Sequence, residues 1–390
     1  MAKDPIVVVG MARTPMGGLM GELGGLKAHQ LGAVAVKAAV AEAGVPGEAI
    51  DQILMGNVLS AGQGQAPARQ AALGAGLPKS VEAVTLNKMC GSGLQAVVQA
   101  AQALANEDAD IIVAGGMESM TNAPHLLPKY RTGHKYGHDK IYDHMAQDGL
   151  EDAYEGLAMG VYADQVAKEY QFTREAQDAY ALETLARAQA ATKEGRFKRE
   201  IAPVGAGKGD AVDTDELPRK ARPDKIPNLK PAFTQGGTVT AANASAISDG
   251  AAALVLMRES EAKKRGLKPL ARIVSYAAHA HEPAYFTTAP VPAIKKALEK
   301  AGWRAEDVDL WEINEAFAVV PMIAMAELGI THDKINVNGG ACALGHPIGA
   351  SGARVLVTLI AALEARGGKK GVASLCIGGG EGIAMAVEKV

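Results

Sequence analysis

Cysteine and aromatic residues are scarce in this chain. Only three of the 390 residues are cysteine, and only 4% are aromatic. The thiols form no CxxC pair and no even framework, which argues against a disulfide-stabilised domain and predicts free thiols in a reducing compartment. Few aromatic side chains and abundant alanine and glycine suit tightly packed layers of helix and sheet better than an aromatic-cored β-sandwich.

The chain also lacks a large excess of one charge sign and long apolar runs. The formal net charge is -3, which gives no reason to expect nucleic acid or an acidic membrane surface as a partner. No run of eighteen apolar residues occurs, so no membrane-spanning helix is expected. The opening MAKDPIVVVG leaves no room for a signal peptide. These patterns predict a cytoplasmic protein.

Apolar strands and helices alternate along the chain, and the pattern occurs twice. The alternation predicts an α/β fold with a mainly parallel, helix-covered sheet. Residues 35–57 align with residues 293–315, so that Gly44, which ends the first helix, matches Gly302 at the same offset as Asp51 matches Asp309. This repeat predicts two similar halves whose strand-end loops meet in one crevice.

The segment between the halves has another composition, richer in histidine, aspartate, lysine and proline. We interpret it as an inserted loop domain over one face. The predicted divisions are 1–119 with 241–270 for the N-terminal half, 120–240 for the loop domain and 271–390 for the C-terminal half. The loop histidines are irregularly spaced and lack cysteine partners, so no metal site is expected.

Cys90 stands where an apolar strand ends and an apolar helix begins, within NKMCGSG. Gly91 and Gly93 permit a sharp turn and a close approach to a ligand. A thiol at this turn faces the positive end of the helix dipole, which favours its thiolate. The alternative is a buried structural cysteine, the commonest fate of a free thiol.

Three further polar residues lie in glycine-rich segments of the second half. They are Asn314 in EINEAFA, His346 in NGGACALGHPIGASGAR and Cys376 in SLCIGGGEG. Singly, each has a structural explanation: an asparagine in a turn, a capping histidine or a buried thiol. Together with Cys90 they supply a nucleophile, a base and a second thiol, which predicts covalent acyl chemistry.

The blocks NKMCGSG, GTVTAANAS, NEAFA, GGACALGHPIGASGAR and CIGGGEG, in this order, resemble those of thiolases of the acetyl-CoA acetyltransferase type. The resemblance covers essentially the whole chain. It implies a five-layered αβαβα thiolase fold of two duplicated halves with an inserted loop domain, and a homotetramer. It also implies acyl-CoA substrates, with coenzyme A as substrate or product and no tightly bound cofactor.

The resemblance implies catalytic roles position by position. Cys90 would accept the acyl group, His346 would deprotonate it, and Cys376 would act as general acid and base on the α-carbon. Asn314 would hold a water that, with His346, stabilises the enolate oxygen. Backbone N–H groups of Cys90 and Gly378 would hold the oxyanion of the acyl-enzyme.

The resemblance also implies contacts to coenzyme A. Ser245 would contact the pantetheine and Arg219 the adenosine phosphates, although a solvated surface charge is the alternative for Arg219. The apolar walls would be formed by Leu150, Met159, Phe233, Ile247 and Phe317.

Two positions depart from short-chain biosynthetic thiolases. Ala158 replaces a common histidine, and Phe286 replaces a common methionine near the acyl pocket. A phenylalanine there resembles mitochondrial acetoacetyl-CoA thiolases, some of which accept a 2-methyl branch. A bulky ring would shorten the pocket, so these positions bear on chain length.

The activity implied is the reversible Claisen condensation of two acetyl-CoA molecules to acetoacetyl-CoA and coenzyme A through an acetyl-cysteine. One alternative is a 3-ketoacyl-CoA thiolase of longer-chain specificity in fatty-acid β-oxidation. A ketoacyl synthase would instead carry a Cys-His-His site, which NEAFA and the second thiol argue against. The non-enzyme alternative is a coenzyme A- or lipid-binding protein of thiolase fold.

Overall fold

The computed structural model describes residues 4–205 and 210–390. Residues 1–3, at the start of the predicted first half, and 206–209, within the predicted loop domain, lie outside the described residues. The strands are β1 (Ile6–Arg13), β2 (Gly17–Gly18), β3 (Gln52–Gly56), β4 (Glu82–Leu86), β5 (Ile111–Ser119), β6 (His125–Leu126), β7 (Tyr142–Asp143), β8 (Ser248–Arg258), β9 (Ala271–Ala280), β10 (Leu310–Ile313), β11 (Lys370–Ile377) and β12 (Glu381–Lys389). The α-helices are α1 (Ala28–Ala43), α2 (Pro67–Gly74), α3 (Ser92–Ala105), α4 (Met159–Glu169), α5 (Arg174–Lys193), α6 (Glu216–Lys220), α7 (Glu259–Lys264), α8 (Pro290–Ala301), α9 (Val319–Leu328), α10 (Ala341–Leu344) and α11 (Ile348–Arg366).

The two halves predicted from the repeat have the same topology. Strands follow the order β1, β8, β5, β3, β4 in the first half and β9, β12, β11, β10 in the second. In the second half, a parallel bridge between Trp311 and Ile335 takes the place of the parallel pairing of β3 with β4 in the first half. The halves join through β1 and β9, where Val7 and Val8 pair with Arg272 and Ala271. The duplication inferred from sequence is therefore confirmed.

The prediction of a mainly parallel sheet is wrong. Among the described strand pairs of the large sheet, β3–β4, β3–β5 and β10–β11 are parallel and the other six are antiparallel. The last two strands show the reason. A turn of glycines, Gly378 to Gly380, connects β11 directly to β12, and a connection this short permits only antiparallel pairing.

Helices form three layers around the two parts of the sheet. Helices α3 and α11 lie between them, and one buried cluster joins these helices to the inward faces of both parts. A second cluster lies beneath α1 and α2, and a third beneath α8 and α9. The result is the predicted αβαβα arrangement.

Helix α11 is long and apolar enough to cross a membrane by length and composition. In this fold 89% of that segment is buried inside the protein, in the middle layer. Its hydrophobicity is explained by contact with sheet on both sides and with α3.

The two middle helices cross at one glycine in the first part of each helix. A Cβ at Gly93 of α3 would lie 2.6 Å from the backbone nitrogen of Ala353, and a Cβ at Gly352 of α11 would lie 2.3 Å from that of Leu94. Neither position has room for a side chain. The backbones therefore approach closely at this crossing, which fixes the starts of both helices relative to each other.

The chain leaves the sheet after β5 and returns at β8, and the intervening segment carries α4, α5 and α6. Thr173 caps α5, because its hydroxyl accepts a hydrogen bond of 3.2 Å from the Ala176 backbone N–H. Arg13 of β1 is buried and pairs with Glu200 and Asp215 of this segment at 2.5 and 2.7 Å. This ion-pair network fastens the insertion to the sheet.

Candidate active site

Cys90 lies in a strained turn between β4 and α3. Met89 adopts a left-handed conformation with φ of 46°, which is unfavourable for a residue with a side chain. Ser92 stabilises the turn, since its hydroxyl donates to the Met89 carbonyl at 2.6 Å and accepts from the Lys88 N–H at 2.8 Å. The strand-to-helix turn expected from the sequence is present, and it projects Cys90 from the start of the middle layer.

A second turn meets Cys90 from the other half of the molecule. The backbone N–H groups of Gly378 and of Cys90 itself are directed at the Cys90 sulfur. Gly91 leaves room for this approach, because a Cβ there would lie 2.5 Å from the end of the Ile377 side chain. Two backbone N–H donors thus converge on one sulfur, and both are available to an oxyanion that forms next to it.

The Cys90 thiol is neutral in this environment. Although the residue is only partly buried, desolvation raises the pKa of Cys90 to about 11, and nearby Glu118 also raises it. Hydrogen bonds from the Gly378 and Cys90 backbones lower the pKa but do not offset this effect. The expectation that the helix start favours a thiolate is therefore wrong, because it neglected desolvation. The nucleophile needs a base.

His346 is placed to act as that base. Its Nδ1 lies 2.5 Å from the Ser351 hydroxyl, which donates to the Pro347 carbonyl at 2.9 Å. Since the hydroxyl proton is used there, Ser351 accepts from Nδ1–H, and the lone pair falls on Nε2. Burial, aided by Arg354, lowers the pKa of His346 to about 3. The imidazole is neutral at physiological pH, with Nε2 buried and unpartnered within the described chain.

Cys376 and Asn314 lie on adjacent strand ends of the C-terminal half. Cys376, in β11, is buried, and desolvation together with nearby Cys90 raises its pKa well above the usual range. Asn314 follows β10, and its N–H donates to the Ser374 carbonyl at 2.9 Å. Neither polar atom of its side chain has a partner within residues 4–205 and 210–390. An unpartnered buried amide can hold a water or a ligand oxygen.

The apolar side chains predicted as walls fall into two groups. Leu150 and Ile247 pack in one cluster with Cys90 and with Ile348, two residues after His346. Phe317 lies in the cluster that contains Cys376, and its ring meets those of Phe233 and Phe286 edge-on, at centroid distances of 6.0 and 6.1 Å. The two groups therefore flank the two thiols.

Residues 6–260 match the family model for the N-terminal domain of thiolase, and residues 267–389 match that for the C-terminal domain. The chain belongs to the thiolase family. The predicted family is therefore confirmed over nearly the whole length.

Relatives of this thiolase share about half of its residues. It is 52% identical to an acetyl-CoA acetyltransferase of Cupriavidus necator, covering 98% of this chain and 99% of that one. It is 50% identical to the cytosolic acetyl-CoA acetyltransferase of Mus musculus, covering 99% and 98%. The crystal structure of Acat5 thiolase from Ascaris suum in complex with coenzyme A matches with a TM-score of 0.95 and 42% identity, covering 99% of this chain and 100% of that chain.

Other predicted ligand contacts of the thiolase lie at the rim. Ser245 is partly buried and donates its backbone N–H to the Ala316 carbonyl at 2.9 Å, next to Phe317. The end of the Met159 side chain lies 3.8 Å from the point where a Cβ on Gly378 would be. Ala158 directly precedes α4 and bridges to Glu151.

Arg219 is exposed, and its guanidinium pairs with Glu22 at 2.6 Å. This contact fits the surface alternative for Arg219 better than a preformed phosphate site. A nearby cavity of about 330 Å³ carries three other basic residues, Lys220, Arg222 and Lys225. These three residues were not among the predicted ligand contacts. The sequence feature that could have indicated them is the segment KARPDK, which has three basic residues in six positions.

Two supporting residues of the thiolase site also escaped sequence analysis. Ser351 sets the His346 tautomer. Glu118, at the end of β5, accepts from the backbone N–H groups of Val58, Leu59 and Gly349 at 3.0, 3.1 and 2.9 Å. Burial raises the pKa of Glu118 to about 7. The carboxyl group gathers three segments around the nucleophile, and no local sequence pattern reveals such a role.

Proposed function

We propose that the protein is an acetyl-CoA C-acetyltransferase that works through an acetyl group on Cys90. The observation that carries this proposal is a neutral thiol held against two backbone N–H groups, with a second buried thiol beside it. The names of the relatives, acetyl-CoA acetyltransferase in several bacteria and in mouse, support the same activity.

In the first half-reaction, His346 Nε2 removes the proton of Cys90 as the sulfur attacks the acetyl-CoA carbonyl. The N–H groups of Gly378 and Cys90 receive the developing oxyanion, each donor contributing about 3 kcal/mol to the transition state. The thioester C–S bond then breaks. The proton on His346 passes to the departing coenzyme A thiolate, and acetyl-Cys90 remains.

In the second half-reaction, Cys376 first passes its thiol proton to His346, and the resulting thiolate removes an α-proton from another acetyl-CoA. A thioester α-proton is weakly acidic, so the enolate oxygen needs fixed donors. Asn314, through a water, and protonated His346 supply them in this proposal. The enolate carbon attacks acetyl-Cys90, forming the C–C bond of acetoacetyl-CoA and breaking the C–S bond, and the released Cys90 thiolate takes the proton back from His346. Thiolytic cleavage is the same path reversed.

Coenzyme A is a substrate and product in this scheme, and no tightly bound cofactor or metal is needed. Ser245 contacts the pantetheine, and the walls described above, with Met159, enclose the chain. The basic residues of the neighbouring cavity, Lys220, Arg222 and Lys225, suit the phosphates. The coenzyme A complex of the Ascaris suum thiolase supports this assignment.

We further propose a cytoplasmic homotetramer with the divisions predicted from sequence, 1–119 with 241–270, 120–240 and 271–390. Strand β4 pairs only with β3 among the described strands, and its Val84 is 47% exposed. Three large side chains are exposed in the segment that connects β6 to β7, namely Tyr130, Tyr136 and Ile141. An open strand edge and a separate apolar loop supply two surfaces, as a dimer of dimers requires. The name of the mouse relative, which includes the word cytosolic, supports the proposed location.

The acyl pocket should favour short chains. Phe286 is only 2% exposed and is fixed against Phe317, so its ring cannot move aside easily. We expect kcat/KM for acetoacetyl-CoA to exceed that for a ten-carbon 3-ketoacyl-CoA by about 100-fold. Phe286→Ala should reduce this ratio to below about tenfold.

Phe172 provides the control for Phe286→Ala. It is partly buried and stacks on Tyr170, away from the contacts of Phe317 with Phe233 and Phe286. Phe172→Ala should leave the ratio unchanged. A wild-type protein that prefers the ten-carbon substrate would identify a longer-chain 3-ketoacyl-CoA thiolase instead. The departure at Ala158, which removes a polar wall, would then be the position to examine.

A further inference from the structure

An ion pair connects the two turns that meet at the active site. Lys88 Nζ pairs with Glu381 Oε2. Lys88 precedes Cys90 by two residues, and Glu381 immediately follows the glycine turn that carries Gly378. The pair thus spans the junction at which an N–H from one half of the molecule faces a sulfur from the other half.

Both ends of this ion pair are attached to well-fixed backbone. The Lys88 N–H donates to the Ser92 hydroxyl, and its carbonyl accepts from the Gly91 N–H at 3.0 Å. Glu381 is paired with Ile377 on one side and with Ala280 on the other. A restraint between these two side chains is therefore transmitted to the backbones of both turns.

The segment between these anchors needs such a restraint. Gly378, Gly379 and Gly380 form the turn, and Gly379 and Gly380 have φ of 94° and 85°. Successive glycines carry no side chains that could pack, and each has wide conformational freedom. The Gly380 carbonyl accepts from the His281 N–H at 2.9 Å, which fixes the side of the turn away from Cys90.

We propose that Lys88 and Glu381 are positioning residues that hold the Gly378 N–H against the oxyanion of the acyl group on Cys90 during acyl transfer. This inference rests on the proposed function. The pair acts through geometry alone, because neither side chain is directed at the sulfur among the described contacts. Loss of the restraint should loosen the donor, and small displacements of a donor reduce rate strongly.

A second ion pair also involves a glutamate of β12 and provides a matched control. Arg272 of β9 pairs with Glu388 of β12 at 3.5 Å, and the two side chains are 34% and 36% exposed. The corresponding values for Lys88 and Glu381 are 23% and 35%. An ordinary ion pair of this exposure contributes little to stability. If Lys88–Glu381 were merely such a pair, both should respond alike to substitution.

The test is a double-mutant cycle on the full-length enzyme, with thiolysis of acetoacetyl-CoA as the readout. Lys88→Met and Glu381→Gln should each lower kcat by about three- to tenfold while KM changes less than about twofold. The double variant should be no slower than the slower single variant. The exchange variant Lys88→Glu with Glu381→Lys should recover most of the rate, and Glu388→Gln should match wild type.

A salt titration of the unmodified enzyme tests the same inference without relying on the folding of variants. Salt screens a partly exposed pair, so kcat of wild type should fall between about 0.05 and 0.5 M salt more steeply than kcat of Glu381→Gln. Rates of the Lys88 and Glu381 variants equal to wild type, additive losses in the double variant, or parallel salt curves would overturn the positioning role. An inactive wild type would instead refute the proposed function.

Discussion

Replacing Cys90 by serine should lower kcat for acetoacetyl-CoA cleavage by at least about a thousandfold. Serine keeps the size of the side chain and its place before α3, so the fold should persist. A hydroxyl is a much weaker acid than a thiol, and burial has lowered the pKa of His346 to about 3. So weak a base cannot take a proton from serine at a useful rate.

The control for this variant is Cys342→Ser. Cys342 is partly buried, and its backbone N–H donates to Glu315 at 3.1 Å. It has no role in the proposed steps, so this variant should retain kcat within about twofold of wild type. Cleavage near the wild-type rate in Cys90→Ser would show that another group carries the acyl intermediate. The measurement is steady-state thiolysis with circular dichroism as the check of folding.

The second large effect should separate the two half-reactions. Cys376→Ser should lower both cleavage and condensation by about 10²- to 10⁴-fold, because serine is a poor acid and base toward carbon. Transfer of the acetyl group between acetyl-CoA and labelled coenzyme A requires only Cys90, His346 and the two backbone donors. That exchange should therefore fall by less than about tenfold.

The measurement compares isotope exchange with the overall reaction in the same preparation. His346→Asn is the matched comparison, since His346 serves both half-reactions and its loss should slow exchange and condensation together. Equal losses of exchange and condensation in Cys376→Ser would contradict the division of labour between the thiols. Unchanged condensation would remove Cys376 from the mechanism.

Local sequence pattern was sufficient for the repeat and for the turns. Gly44 and Gly302 occupy matching positions, and both are left-handed with φ of 67°, ending α1 and α8. Glycines around Cys90, His346 and Cys376 marked the positions where backbones approach closely. Such signals are available in sequence because they depend on neighbouring residues and on the steric limits of a side chain.

Features set by distant residues could not be predicted in this way. The pKa of Cys90 depends on burial between two halves of the chain, which outweighs the local effect of the helix start. Lys88 and Glu381 are separated by 293 positions, and Arg219 and Glu22 by 197. Partners at such separations are brought together by the fold alone. The direction of β12 likewise depended on a tight turn that the alternation of strands and helices did not reveal.

The central claim is that one sulfur carries the acyl group while the other moves a proton. The most direct test is peptide mass spectrometry of the wild-type protein after incubation with acetyl-CoA and rapid acid quenching. The account predicts one acetyl group on the peptide containing Cys90 and none on the peptides containing Cys342 or Cys376. An acetyl group on Cys376, or no adduct on Cys90, would contradict it.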